Sequence, residues 1–283
     1  MRTVSRGTLA FDVIEHGPET GDPVLLLHGF PQHATAWAGV ASRLAGRGYH
    51  CIAPDQRGYS PGGRPATTRA YAADELVDDA LAVLDATVGP GGRAHVVGHD
   101  WGAMVGWRLA AHHPDRLRSL TAISVPPPAA LIRALRGGRQ ALASWYVLAF
   151  QLPGLAERAF RAGDRPFSRT LVRLLENSGQ TRAAAERDAA ALADPAALTA
   201  ALNWYRAARF AQVGDDPLVR VPTLYVWSDG DTAITRRAAL AADRYVEGPF
   251  RYVELRGFSH WLLDQAPGEL ADLIAGHLAD HPG

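Results

Sequence analysis

Lysine is absent from this 283-residue chain, so its 29 formally positive side chains are all arginine. Asp and Glu together also number 29, which leaves a formal net charge of zero. Such a chain has no overall field with which to gather nucleic acid or an anionic membrane surface, and neither is expected as a partner. Abundant alanine beside the missing lysine reads as the bias of a GC-rich genome rather than as function. A single cysteine, Cys51, excludes an internal disulfide. In the apolar run Tyr49-His50-Cys51-Ile52-Ala53 it reads as a buried structural thiol. No apolar run approaches a membrane span, and no apolar segment follows Arg2 and Arg6 as an export signal requires. A soluble, cytoplasmic protein is the expectation. No cluster with metal-ligand spacing and no nucleotide-binding glycine loop occurs, so neither a metal nor a cofactor is expected.

What is present is an alternation of short apolar runs and amphipathic stretches. Residues 24–27, 50–54 and 94–97 are wholly apolar or nearly so, as strands buried on both faces of a parallel sheet must be. Between them, 72–87 carries Leu76, Ala80, Leu81, Val83 and Leu84 on one helical stripe. A further strand is predicted over 120–125, stopped by Pro126-Pro127-Pro128. From 129 to 213 the chain turns Ala-, Leu- and Arg-rich without strand runs and predicts several helices. Strand pattern returns over 222–227, then a helix over 236–244, a strand over 250–255 and a last helix over 268–278. The arrangement predicts an α/β core in two parts, 1–128 and 214–283, with a helical cap over 129–213 and no repeats. Chemistry should sit in the loops at the carboxyl ends of the strands.

One such loop is Gly98-His99-Asp100-Trp101-Gly102, between the strand over 94–97 and an apolar helix over 103–111. Gly-x-nucleophile-x-Gly at a strand-to-helix turn is the nucleophile elbow, whose small outer residues let the central side chain project above the sheet. The central residue here is aspartate. A carboxylate is a poor acyl nucleophile in water but displaces a leaving group at saturated carbon, giving an alkyl–enzyme ester that water then cleaves. Epoxides and alkyl halides are the substrates this suits. The alternative reading of Asp100 as a mere helix N-cap is opposed by the flanking glycines and by its partners.

Those partners follow from position. His28-Gly29-Phe30-Pro31 comes after the strand over 24–27, and at an elbow of this kind that loop supplies one oxyanion-hole amide while the residue after the nucleophile supplies the other. Phe30 and Trp101 are thereby assigned, with Pro31 directing the loop through a possible cis bond. Gly257-Phe258-Ser259-His260-Trp261 follows the last strand and offers His260 as general base. His28 and His99 read as structural, while His112, His113, His277 and His281 read as solvated. Asp229-Gly230-Asp231-Thr232 supplies the acid that orients His260. Asp231 is preferred to Asp229 because Asp231-x-x-Ile234 matches the usual position of this acid.

With these segments and Asp55-Gln56-Arg57-Gly58-Tyr59-Ser60, the chain resembles the α/β-hydrolase-fold epoxide hydrolases over essentially its whole length. The resemblance implies a local structural pairing for Arg57. It also implies two cap tyrosines that bind the epoxide oxygen. Between 129 and 213 the only tyrosines are Tyr146 and Tyr205, each in a segment similar to one that carries such a tyrosine. Two phenols would stabilise the alkoxide that ring opening develops. Phe30, Trp101, Trp145, Phe150 and Trp204 are expected to shape the substrate pocket, and their aromatic character points to an apolar or aryl epoxide. Whether the protein is a monomer or a homodimer is left open.

Three other readings compete. Haloalkane dehalogenases share the Asp nucleophile and the following Trp, but typically carry Asn where this chain has Phe30. Fluoroacetate dehalogenases share His-Gly-Phe-Pro but place Arg where Trp101 stands. A non-catalytic binding protein on the same scaffold is expected to have lost part of the Asp100, His260 and Asp231 set, all of which is present.

Overall fold

The computed structural model describes residues 1–136, 138–161, 167–210 and 216–282. Among them eight strands form one sheet: β1 (Arg2–Arg6), β2 (Leu9–His16), β3 (Pro23–Leu27), β4 (His50–Pro54), β5 (Ala94–His99), β6 (Leu117–Ile123), β7 (Thr223–Ser228) and β8 (Phe250–Leu255). Their spatial order is β1-β2-β4-β3-β5-β6-β7-β8. The pairs β1–β2 and β2–β4 are antiparallel, and β3 pairs in parallel with both β4 and β5. The remaining pairs, from β5 to β8, are parallel as well.

The central strands are buried at every position because helices cover both faces. Along β3 the side chains alternate between two separate cores, Val24 and Leu26 in one, Leu25 and Leu27 in the other. That is the period of two that a pleated strand imposes. Helices α1 (Ala38–Ala45) and α13 (Pro267–Ala279) close the Val24 side, with Val40, Leu44, Ile274 and Leu278 in that core. Helices α2 (Ala73–Val88) and α3 (Trp101–His112) close the other, through Leu84, Trp107 and Leu109.

Between β6 and β7 stand seven helices: α4 (Pro128–Leu135), α5 (Arg139–Ala143), α6 (Trp145–Phe150), α7 (Leu155–Arg161), α8 (Phe167–Asn177), α9 (Arg182–Ala191) and α10 (Pro195–Ala207). Among the described residues they run from Pro128, one residue before the cap expected over 129–213, whose expected end lies outside the described residues. Short helices α11 (Arg236–Ala239) and α12 (Leu262–Gln265) follow β7 and β8. No helix among the described residues is long and apolar enough to cross a membrane.

Several expectations need correction. The hairpin β1–β2 was not predicted, because only Val4, Phe11 and Val13 of its residues are buried and the rest of this sheet edge is polar or half-exposed. The helix expected over 236–244 is two short pieces, α11 and a 3-10 turn over Ala242–Tyr245. His277 is buried rather than solvated, since α13 carries it on the same stripe as Leu270, Ile274 and Leu278. Arg57 pairs locally as expected: Nε and NH2 hold the two oxygens of buried Asp79 at 2.6 and 2.7 Å. The pair is part of a network, in which Arg6 also holds Asp79 at 3.0 Å and Arg57 also reaches Glu75 at 3.2 Å.

Candidate active site

Asp100 stands where β5 turns into α3, with φ 54° and ψ −120°. A non-glycine residue held there stores strain on the order of 1–3 kcal/mol, which the surrounding structure must offset. The neighbours permit the turn by being small: a Cβ on Gly98 would strike the backbone of Gly102, and one on Gly102 would strike the carbonyl of Leu27. The Asp100 side chain makes no capping bond to α3. Instead the Phe30 amide donates to its Oδ1 at 2.8 Å. His260 Nε2 lies 3.5 Å from its other oxygen, Oδ2. The loop after β3, the elbow after β5 and the loop after β8 therefore converge on one carboxylate.

Asp231, fully buried, meets His260 Nδ1 through Oδ2 at 2.8 Å. Its Oδ1 accepts the amides of Ala233 and Ile234 at 2.8 and 2.9 Å, which fixes the carboxylate's direction. Asp229 faces elsewhere and accepts the Gly257 amide at 2.7 Å, closing a turn. His28 and His99 are both fully buried and support loops. His28 Nε2 accepts the Gln56 amide at 3.1 Å, which leaves the proton on Nδ1, beside the Gly29 carbonyl at 3.2 Å. His99 donates from Nε2 to the His260 carbonyl at 2.9 Å, and the Ser124 hydroxyl donates to the same oxygen at 3.2 Å. Ser124 is a loop support that no motif in the sequence marked. The bond Phe30–Pro31 is cis.

The charges reinforce one another. Burial alone disfavours a charged His260, but Asp231 and Asp100 outweigh it and lift the imidazole to about 10. Burial likewise disfavours a charged Asp100, and His260 outweighs that, holding the carboxyl below its usual range. At neutral pH the resting pair is imidazolium and carboxylate.

Above Asp100 opens a cavity of about 440 Å³, bordered by Asp100, Trp101 and Met104 from the core and by Tyr146, Trp204 and Tyr205 from the insertion. The two tyrosine rings lie edge-to-face, 6.1 Å apart. Burial, then the Asp100 charge, pushes the Tyr146 hydroxyl upward; burial, Tyr146 and Asp100 do the same to Tyr205. Both phenols thus keep their protons. The Trp101 ring packs edge-on against the Tyr205 ring at 5.1 Å. Trp204 also anchors the insertion to the core, its indole donating to the Arg57 carbonyl at 2.7 Å. Phe30 and Phe150 pack edge-on against the Tyr205 ring, at 5.4 and 5.0 Å, and do not border the cavity. Trp145 is 67% exposed and outside the cavity. Tyr146 and Phe150, one turn apart on α6, face inward together, and a residue one step from Tyr146 is turned about 100° away.

Comparison with known proteins agrees with this arrangement. Residues 22–267 match the family model described as alpha/beta hydrolase fold. The AB hydrolase superfamily protein YfhM of Bacillus subtilis is 33% identical over 97% of this chain and 96% of its own. Epoxide hydrolase A of Mycobacterium tuberculosis is 34% identical over 95% and 94%. The crystal structure of epoxide hydrolase A from Mycobacterium thermoresistibile is similar with a TM-score of 0.83, at 27% identity over 98% of this chain and 97% of that one. The chain belongs to the α/β-hydrolase fold family, in the branch that holds the epoxide hydrolases.

Proposed function

We propose that the protein is an epoxide hydrolase, converting an epoxide and water to a vicinal diol through a covalent ester on Asp100. The observation that carries this reading is the pairing across the cavity: an ionised carboxylate on one side, two protonated phenols on the other. Relatives named epoxide hydrolase support it.

The cycle balances in protons. Asp100 Oδ attacks an epoxide carbon, the carbon–oxygen bond breaks, and the alkoxide forms against Tyr146 and Tyr205. The proton that quenches the alkoxide comes through the tyrosines and is replaced from the His260 imidazolium. Esterification also removes the Asp100 charge, so neutral His260 loses one of the two anions that raised its pKa and becomes a base matched to water. Oriented by Asp231, it takes a proton from water, whose oxygen attacks the Asp100 carbonyl carbon. The oxyanion rests against the Phe30 and Trp101 amides, the diol leaves, and Asp100 carboxylate with His260 imidazolium is restored. The predominantly apolar cavity suits an apolar or aryl epoxide.

Haloalkane dehalogenation is the nearest alternative. It is disfavoured because Phe30 stands where those enzymes typically carry a second halide donor, Asn, and because both tyrosines border the cavity. Single turnover in heavy-oxygen water tests the covalent route: label should enter the Asp100 carboxylate before the diol, and label found only in the diol sinks it. Exchanging both tyrosines, Tyr146→Phe with Tyr205→Phe, should abolish epoxide opening. Retained epoxide turnover with faster halide release from an alkyl halide would favour the dehalogenase.

A further inference from the structure

The two loops that flank the Asp100 carboxylate meet again on a single side chain away from it. Asp264, at the third position of α12, lies four residues past His260. Its Oδ2 accepts Nε2 of Gln32 at 2.9 Å, and Gln32 lies two residues past Phe30. The same carboxylate takes Arg187 of α9 through NH1 at 2.7 Å and NH2 at 3.3 Å. Gln180, also of the insertion, donates to it at 3.3 Å. Asp264 thus joins three segments: the loop that supplies the Phe30 amide, the loop that supplies His260, and the helical insertion. Its side chain is only 10% exposed, so these bonds form largely away from competing water.

A second clasp stands beside it. Gln265 Oε1 accepts the amide and hydroxyl of Ser259, at 2.8 and 3.0 Å, immediately before His260. Its Nε2 donates to the Gly179 carbonyl of the insertion at 2.6 Å. Neighbouring Trp261 donates its indole N–H to the Ser178 hydroxyl at 2.9 Å. The insertion therefore grips the His260 loop on both sides of the imidazole's own residue.

An ion pair that merely pinned the insertion to the core would need one attachment point. Here the attachments fall on the two segments whose separation fixes where Phe30 N and His260 Nε2 stand around Asp100. Ring opening rests chiefly on Asp100 and the tyrosines, with His260 replacing their proton; ester hydrolysis needs the Phe30 amide and His260 acting together at the same carbon. We propose that Asp264 is a positioning residue for ester hydrolysis, holding the Phe30 and His260 loops in register from the insertion. The inference rests on the covalent mechanism proposed above.

Asp264→Ala leaves Arg187 paired with buried Asp188 at 2.7 Å, so no unpartnered cation is created. A misplacement of about 1 Å costs on the order of 10²-fold, and ester hydrolysis should slow by roughly 10- to 100-fold. Ring opening should slow less than ester hydrolysis, since it needs His260 only to replace the tyrosines' proton and the tyrosines themselves are untouched. The ester then accumulates, kcat and KM fall together, and a mass increase appears on the Asp100 peptide at steady state. Asp264→Asn keeps an acceptor for Gln32 and should restore most of the rate. A fall in kcat without a lower KM or accumulated ester overturns the proposal, as does unchanged kinetics. If Asp264→Ala does not fold, Gln32→Ala cuts only the Phe30 link and should give the same accumulation. Wild-type protein that forms no Asp100 ester from any epoxide overturns the covalent mechanism itself, and this inference with it.

Discussion

Asp231 reaches His260 Nδ1 at 2.8 Å with one carboxylate oxygen while the amides of Ala233 and Ile234 hold the other. The acid is therefore rigid before it orients the base, and it fixes the imidazole proton on Nδ1 whenever His260 is neutral. Nε2 is left free to face Asp100 or a water beside it.

Asp231→Asn should slow ester hydrolysis by roughly 10²–10⁴, because an amide can present N–H to the ring and stabilise the wrong tautomer. Asp229→Asn should leave hydrolysis within a few-fold, since Asp229 serves only the Gly257 turn. Rapid-quench measurement of ester decay in the two variants checks the contrast. Equal losses would move the acid to Asp229.

The pH dependence of ring opening follows from the raised His260. In the proposed cycle its imidazolium supplies the proton that quenches the alkoxide, so the rate should be flat through neutrality and fall as pH rises past about 10. Asp231→Asn removes one of the anions that hold the proton and should move that fall to lower pH. Stopped-flow single turnovers across the range, with protein fluorescence as readout, decide it. An alkaline limb that Asp231→Asn does not move would contradict the assignment.

Gly29 abuts the nucleophile so closely that an added Cβ would fall on the Asp100 carboxylate. Gly29→Ala must displace either Asp100 or the strand-end loop that carries the Phe30 amide. Ester formation should drop by about 10²-fold or more, with thermal unfolding measuring how much of the displacement the fold absorbs.

Four buried histidines make the fold acid-sensitive. Burial chiefly lowers His28 to about 3 and His95, His99 and His277 to about 4. Between those values and about 6.5 the unfolded chain binds protons that the folded chain does not, so stability declines as pH falls through this window. Across its window each group's loss is on the order of 3–5 kcal/mol, against a total of about 5–15 kcal/mol for a domain. Urea midpoints should therefore drop steeply from pH 7 to pH 5, and His277→Gln should flatten the decline. A midpoint that holds steady across that interval would count against neutral burial of these rings.

The parallel core was legible because strands covered on both faces are apolar nearly throughout, and β3, β4 and β5 depart from this only at His50, His95 and His99. The elbow and the late histidine were legible for a similar reason: their glycines and positions answer to steric demands that tolerate few residues. The hairpin β1–β2 escaped because a half-exposed edge dilutes the pattern, although Phe11 and Val13 alternate inward and Gly7, with φ 60°, turns the chain. Trp145 was misplaced because an aromatic cluster was read without its helical phase, which cannot turn Trp145 and Tyr146 to one side. Asp264 and Gln32 escaped altogether. They are 232 positions apart, and nothing local marks an aspartate and a glutamine that only the tertiary fold unites.

The Phe30 amide is already occupied in the resting protein, by an oxygen of Asp100. A visiting ester or amide finds no vacant donor there to polarise its carbonyl, since that carbonyl's seat is taken by Asp100.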